Sequence, residues 1–204
     1  MRITVFGSTG GSGLEVVAQA LQQSHNVTAF ARTPSKLTIR NAQLRVVQGN
    51  AMNPSDVEAA VKGQDAVVSA LGVSGHSPIT ICSEGMKNII SAMKNNGVKR
   101  LIVESAYGAG DTRKGFYGNA TGILIASRIK DKELMEKTVA ESGLDWIIAR
   151  PVYLTNGPRT GSYRVGLDLS VSLWPKISRA DVADFMLKQL SDNTYLHKMP
   201  TISH

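Results

Sequence analysis

Short apolar runs alternate along this chain with stretches in which apolar residues recur every three or four positions. Residues 2–6 (RITVF) form a run of strand length. After a glycine-rich turn, Leu14, Val17, Ala18 and Leu21 keep helical spacing over 14–23. Residues 27–31 (VTAFA) and 44–47 (LRVV) predict the second and third strands. Asn53-Pro54-Ser55 opens a short helix running to about Val61. Residues 65–71 (DAVVSAL) are almost wholly apolar, the pattern of a strand buried on both faces of a parallel sheet. A long helix over 78–95 stops at Asn96-Gly97, and 99–104 (KRLIVE) predicts the fifth strand.

The second half continues the alternation with two interruptions. Residues 105–122 hold Gly108, Gly110, Gly115, Gly118 and Gly122 without periodicity and predict a mobile loop. A helix over 126–142 and a sixth strand over 144–149 (LDWIIA) follow. The stretch from Pro151 to Ile177 is loop-rich, with a short strand expected at 162–165. Ser178 caps a helix over 179–191, and a last short strand falls within 195–202. Such alternation builds βαβ units. The expected fold is therefore a Rossmann-type α/β domain: a doubly wound parallel sheet with helices on both faces. No linker, repeat or low-complexity tract divides the chain, so 1–204 reads as one domain, with 105–122 and 151–178 as its substrate-side loops.

Composition narrows the function. Of 204 residues, 42% are hydrophobic and 19% charged, an ordinary globular balance for a single core. No apolar run approaches the roughly 18 residues of a membrane span. The glycine turn begins at Gly7, which leaves no room for a signal peptide ahead of it. A soluble, cytoplasmic protein is expected. Cys82 is the single cysteine, so no intrachain disulfide can form. It belongs to the series Ile79, Cys82, Met86, Ile89, Ile90 and Met93, one helix face, and reads as a buried core thiol.

The net charge is +7, but the lysines and arginines are scattered, with no run of five and no interleaved aromatics. That argues against a nucleic-acid partner and suits a ligand carrying several phosphate charges. His25, His76, His197 and His204 are isolated and give no metal-ligand spacing, so no metal is expected. The chain has neither a G-x-S-x-G elbow nor a GxxxxGK[ST] loop, which removes the grounds for hydrolase or P-loop chemistry.

The strongest chemical signal is Gly7-x-x-Gly10-x-x-Gly13, set between the first strand and the first helix. The first glycine permits the tight turn, the second lets a pyrophosphate approach the backbone, and the third allows close packing. The helix then offers its free N–H groups and positive dipole end to the phosphates. At the end of the second strand, where NAD-binding sites carry an acid for the ribose 2′-OH, this chain has Arg32, followed by Thr33 and Lys36. A guanidinium pairs with a 2′-phosphate that a carboxylate would repel, so NADP(H) is favoured over NAD(H).

With these features, the chain resembles the atypical short-chain dehydrogenases/reductases, in particular the biliverdin reductase B/flavin reductase type and the related NmrA-like NAD(P)-binding proteins. The matching pieces are GSTGGSG at 7–13, ARTPSKL at 31–37, GN at 49–50, GQDAVVSALG at 63–72, SEGMKNIISAMKNNGVKRLI at 83–102, ESGLDWIIARP at 141–151 and ISRADVADFML at 177–187. The resemblance implies that Ser8, Thr9, Gly10, Gly11, Ser12 and Gly13 hold the pyrophosphate and that Arg32 meets the 2′-phosphate. It implies Asn50, where the family usually has Asp, beside the adenine. Ala70, Leu71, Gly72 and Val73 would line the cofactor. Ser105 would end the fifth strand near the nicotinamide, and Pro151, Val152 and Tyr153 would sit against the carboxamide. Tyr107 and Tyr153 are the candidate walls of a substrate pocket.

One departure bears on the chemistry. Typical members use Tyr-x-x-x-Lys, yet no tyrosine here has a lysine four residues on. Aligned on the segment before ESGL, Lys132 takes the place of the family lysine and Arg128 that of the tyrosine. The resemblance thus implies a ribose-holding lysine without its acid. That suits reduction of a flavin, as possible substrate, or of another planar small-molecule acceptor, with Ser105 and Lys132 as the residues at the reacting end. The alternative is a sensor of NADP(H) redox state that signals to a protein partner without turnover.

Overall fold

A computed structural model describes residues 1–73, 77–112 and 126–204. The apolar runs of the first half become β1 (Arg2–Phe6), β2 (Asn26–Ala31), β3 (Leu44–Gln48), β4 (Ala66–Ser69) and β5 (Arg100–Glu104). β6 (Asp145–Pro151), β8 (Arg164–Gly166) and β10 (Thr201–Ser203) complete one sheet in the order β3-β2-β1-β4-β5-β6-β10-β8. Every neighbouring pair in it is parallel except β10 with β8. The expected Rossmann-type α/β architecture is what this chain adopts.

Between the strands run α1 (Gly11–Gln22), α2 (Pro54–Val61), α3 (Ile81–Asn95), α4 (Ala126–Ala140) and α5 (Arg179–Lys188). The side-chain period of two sends alternate strand residues to opposite cores. Ala66 and Val68 of β4 join Val16 and Val17 of α1 and Val182 and Ala183 of α5. Val67 joins Val57 of α2, Met86 of α3 and Met135 of α4. Each fully buried Val or Met among these contributes about 1.5–3 kcal/mol, and the continuous burial of β4 and β5 follows from the two layers of helices.

The caps follow local chemistry. Asn53 Oδ1 accepts from the Ser55 N–H at 3.1 Å at the start of α2, and Ser178 Oγ accepts from the Asp181 N–H at 3.0 Å at the start of α5. α3 begins at Ile81, three residues later than the sequence predicts. Its N-terminus is capped from another element: the Asp131 carboxylate on α4 accepts from the Cys82 and Ser83 N–H groups at 2.9 and 3.1 Å.

Two expectations about loops are corrected. The first part of the 105–122 segment is packed down: Ser105 N–H donates to the Ala149 carbonyl at 2.7 Å and Tyr107 N–H to the Pro151 carbonyl at 2.9 Å. A 3₁₀ turn spans Gly110–Thr112. Arg150, buried at the end of β6, forms two bonds to Glu136 of α4 at 3.0 and 2.9 Å and pairs with Asp111 of that turn. The rest of the expected loop, 113–122, and His76 lie outside the described residues. The 151–178 segment holds more structure than a loop. β7 (Tyr153–Thr155) and β9 (Lys176–Ser178) pair in parallel as a separate small sheet. Three-residue strands are too short to show a period in sequence.

Candidate cofactor-binding cleft

β1 has β2 on one side and β4 on the other, so the strand order reverses at its C-terminal end. Open α/β sheets bind ligands at such a point. There a cleft of about 430 Å³ opens over the ends of the central strands.

The glycine turn forms its floor for steric reasons. Gly7 has φ +73°, and a Cβ on it would lie 2.3 Å from the Ala70 carbonyl oxygen at the end of β4. A Cβ on Gly13 would lie 2.1 Å from the Gly7 carbonyl oxygen. Gly10 is freer, with its nearest contact at 3.3 Å, and faces the cleft. Ser8 is fully buried and donates to the Phe30 carbonyl at 2.9 Å, tying the turn to β2. α1 starts at Gly11 with no side chain capping its N-terminus and no acid in its first turn. Its first N–H groups are therefore left for an anion.

The cleft brings together Gly7, Thr9, Gly10, Gly11, Ser12, Arg32, Ala70, Leu71, Gly72, Val73, Ser105 and Lys132 from the sequence-derived set. Ser8 and Gly13 underlie the turn. The remaining residues of the set do not line the cleft. Asn50 turns its side-chain oxygen back to the Met52 N–H at 3.1 Å, while Gly49 and Ala51 line the wall. Pro151 and Val152 are buried within the sheet, Tyr153 is exposed, and Leu154 lines the cleft in their stead. Tyr107 is buried against the core of α1 and α5, and burial raises the pKa of its hydroxyl above the usual tyrosine value.

The charge of the cleft is lopsided. Arg32, Arg128, Lys132 and Arg179 line it, with Glu104 as its single acid among the described residues. Arg128 and Lys132 are one turn apart on α4, so both reach the same wall. Lys132 Nζ donates to the Glu104 backbone carbonyl at 3.0 Å. Arg32 Nη2 donates to Ser77 Oγ at 2.7 Å. Arg179 lies against the glycine turn, its Cδ only 2.6 Å from where a Gly11 Cβ would be, and Nη1 donates to Asn156 Oδ1 at 2.6 Å.

Ser105 is 2% exposed, and its Oγ has no protein partner among the described residues. A buried hydroxyl left unpaired beside a cleft is available to a ligand. Cys82 is also there but inert: burial pushes its thiol up to about 11, outweighing the nearby Lys132. No three His, Cys, Asp or Glu among the described residues are grouped as metal ligands. No helix among them is long and apolar enough to cross a membrane.

Sequence reasoning missed Glu104 and Arg179. An acid closing the apolar run LIVE was a visible signal, since a carboxylate at the end of a buried strand needs a reason. Arg179 carried none, because its approach to Gly11 is made by the packing of α5 on α1.

The residues present fit a dinucleotide: a backbone cradle with open N–H groups, four cations and an orphaned buried hydroxyl. Residues 7–193 match the model of the family described as NAD(P)H-binding. The photosystem II assembly factor Ycf39 of Synechocystis is 25% identical across 97% of this chain, and the chain spans 61% of the length of that relative. The reductase PytE of Aspergillus terreus is 25% identical across 99% of this chain and 97% of its own. Among solved structures, ChuY of Escherichia coli, an anaerobilin reductase, superposes with a TM-score of 0.86 at 23% identity, covering 99% of this chain and 96% of its own. That last likeness is one of fold.

Proposed function

The chain belongs to the NAD(P)H-binding family of atypical short-chain dehydrogenases/reductases, and on that premise we propose that it reduces a flavin or another planar conjugated acceptor at the expense of NADPH. The observation that carries this reading is one wall of the cleft. Lys132 lines it on α4, and one turn before it stands Arg128, a residue that cannot act as an acid in proteins. Carbonyl reduction at such a site relies on a positioned acid at that place. A planar conjugated acceptor does not need its acid at that place and can take its proton from another group of the cleft or from solvent. The names of PytE and ChuY, both reductases, agree with this class.

When bound, the reduced nicotinamide supplies a hydride. The protein's own residues bind and orient. The N–H groups of Gly11, Ser12 and Gly13 take the diphosphate at the head of α1, with Arg179 closing over them. Arg32, already steered by Ser77, pairs with the 2′-phosphate and excludes no ligand by charge. Lys132, anchored to the Glu104 carbonyl, presents its remaining donors to the ribose hydroxyls. The Ser105 hydroxyl, unpaired among the described residues, is the donor left for the nicotinamide side.

The test is loss of NADPH absorbance with FMN, riboflavin or biliverdin as acceptor. Turnover with any of them supports the reading. Tight NADPH binding without oxidation in all three would overturn it and leave a redox-sensing regulator, in keeping with the assembly-factor name of Ycf39.

A further inference from the structure

Glu104 is the anomaly of this cleft. It closes β5, is 7% exposed, and opens onto a space otherwise ringed by cations. Each element packed around it presents one identifiable group. From α1, Ser12 Oγ donates to its Oε1 at 2.9 Å. From α4, Lys132 stands over its backbone carbonyl and attracts its carboxylate, and from α5 Arg179 attracts it too. From α3, the Cys82 thiol feels its charge. Asp131, next to Lys132, is turned away to the head of α3. Arg128 lies on the same wall as Lys132.

We propose that Glu104 takes up a proton when the dinucleotide binds and holds it in the cleft for the reduction. The inference rests on the cofactor reading of the cleft. Ser12 belongs to the first turn of α1, where the diphosphate is received, and its side chain touches the Glu104 carboxylate directly. The ligand would therefore bring negative charge to the far side of a single hydrogen bond. Two negative charges about 7 Å apart, at an effective dielectric of about 20, repel strongly enough to raise a carboxylate's proton affinity more than tenfold. Burial already pushes the carboxyl above the usual glutamate value, against the opposing pull of Lys132, Ser12 and Arg179. Protonation also frees Lys132 and Arg179 from their shared counter-charge, so both cations turn wholly to the ligand.

The stored proton balances the chemistry. A conjugated acceptor reduced by two electrons gains a hydride from the reduced cofactor and a proton from the Glu104 carboxyl O–H. The carboxylate left behind is stabilised by Lys132, and the cofactor leaves oxidised.

Calorimetric titration with NADPH and with NADH, in buffers of different ionisation enthalpy between pH 6 and 9, reads this uptake directly. The expected result is net proton uptake that peaks at about half a proton or more per cofactor. It should appear equally with NADH, which lacks the titrating 2′-phosphate, and vanish in Glu104→Gln. Affinity should fall about threefold or more per pH unit through the same window in the unaltered protein and stay flat in the variant. Binding with no proton exchange at any pH, or exchange unchanged in Glu104→Gln, overturns the proposal and leaves the cofactor site standing. Absence of binding by either dinucleotide overturns the cofactor reading and this proposal with it. Should Glu104→Gln not fold, the absence of proton uptake in the buffer comparison on the unaltered protein still overturns the proposal.

Discussion

Arg32 Nη2 and Ser77 Oγ are 2.7 Å apart, which ties the guanidinium at the end of β2 to the chain that follows β4. The arginine is exposed yet already steered toward the cleft it lines. One charge-assisted pair contributes about 1.5–3 kcal/mol. NADPH should accordingly bind at least ~10-fold more tightly than NADH. Arg32→Ala should erase most of that difference, and Ser77→Ala a smaller part. Equal affinities for the two cofactors in the unaltered protein would contradict the role given to Arg32.

Two glycines of the turn should respond differently to substitution. Gly13→Ala puts a Cβ 2.1 Å from the Gly7 carbonyl, backbone that cannot yield, so a loss of several degrees in Tm is expected even without ligand. Gly10→Val meets nothing closer than 3.3 Å at its Cβ and mainly fills the cradle. It should keep most of the fold and lose cofactor binding. Thermal melts with and without NADPH separate the two outcomes. Normal ligand stabilisation of the Gly10 variant would show that the turn is only a turn.

No tyrosine should prove essential. Tyr107 is buried with a raised hydroxyl pKa, and Tyr153 points away on the exposed edge of the small sheet. Tyr107→Phe and Tyr153→Phe should each cost less than about 10-fold in kcat with a flavin acceptor, against the 10²–10⁴-fold typical of a lost general acid. Lys132→Ala should raise the KM for NADPH more than it lowers kcat. A drop of two decades in kcat for either phenylalanine variant would restore tyrosine acid catalysis, and with it carbonyl reduction.

Asp181 sets part of the acid stability. Burial alone would raise its carboxyl pKa. The Gly161 N–H, His204, the Ser178 hydroxyl and Thr160 outweigh burial and bring it from 3.8 down to about 2. A depressed carboxylate contributes stability above its unfolded pKa and loses it as pH falls through the folded one. The contribution is therefore present at pH 7, starts to fade near pH 4 and is gone below about pH 2. Its size is about 2 kcal/mol. Asp181→Asn should lower stability at pH 7 and flatten the acid limb between pH 4 and 2 in denaturant titrations. An unchanged acid limb would remove Asp181 from the account.

The order of elements was legible in the chain because each depends on a local pattern. DAVVSAL could only be a strand with both faces buried, and α5 starts at its Ser178 cap as predicted. The glycine turn was legible as well, since Gly7 and Gly13 are required by backbone contacts within a few residues of themselves or at the neighbouring strand end. Arg32 could be placed at the cleft because it follows a strand end, which periodicity locates.

What the pattern left open depends on contacts between distant segments. β7 and β9 are three residues each and exist because they pair with each other across more than twenty residues. The head of α3 lies at Ile81, where Asp131, some fifty residues away, receives its N–H groups. Tyr107 reads as a pocket wall in sequence and is a core residue in the fold, because the chain after β5 is drawn down beside β6. Glu104 and Arg179 are the clearest case. Linear spacing carries no information about what a side chain meets across the sheet, and their significance comes from the glycine turn that α1 and α5 bring against them. Local chemistry along the chain was enough for the fold and the cradle; the charge inside the cleft was set by packing.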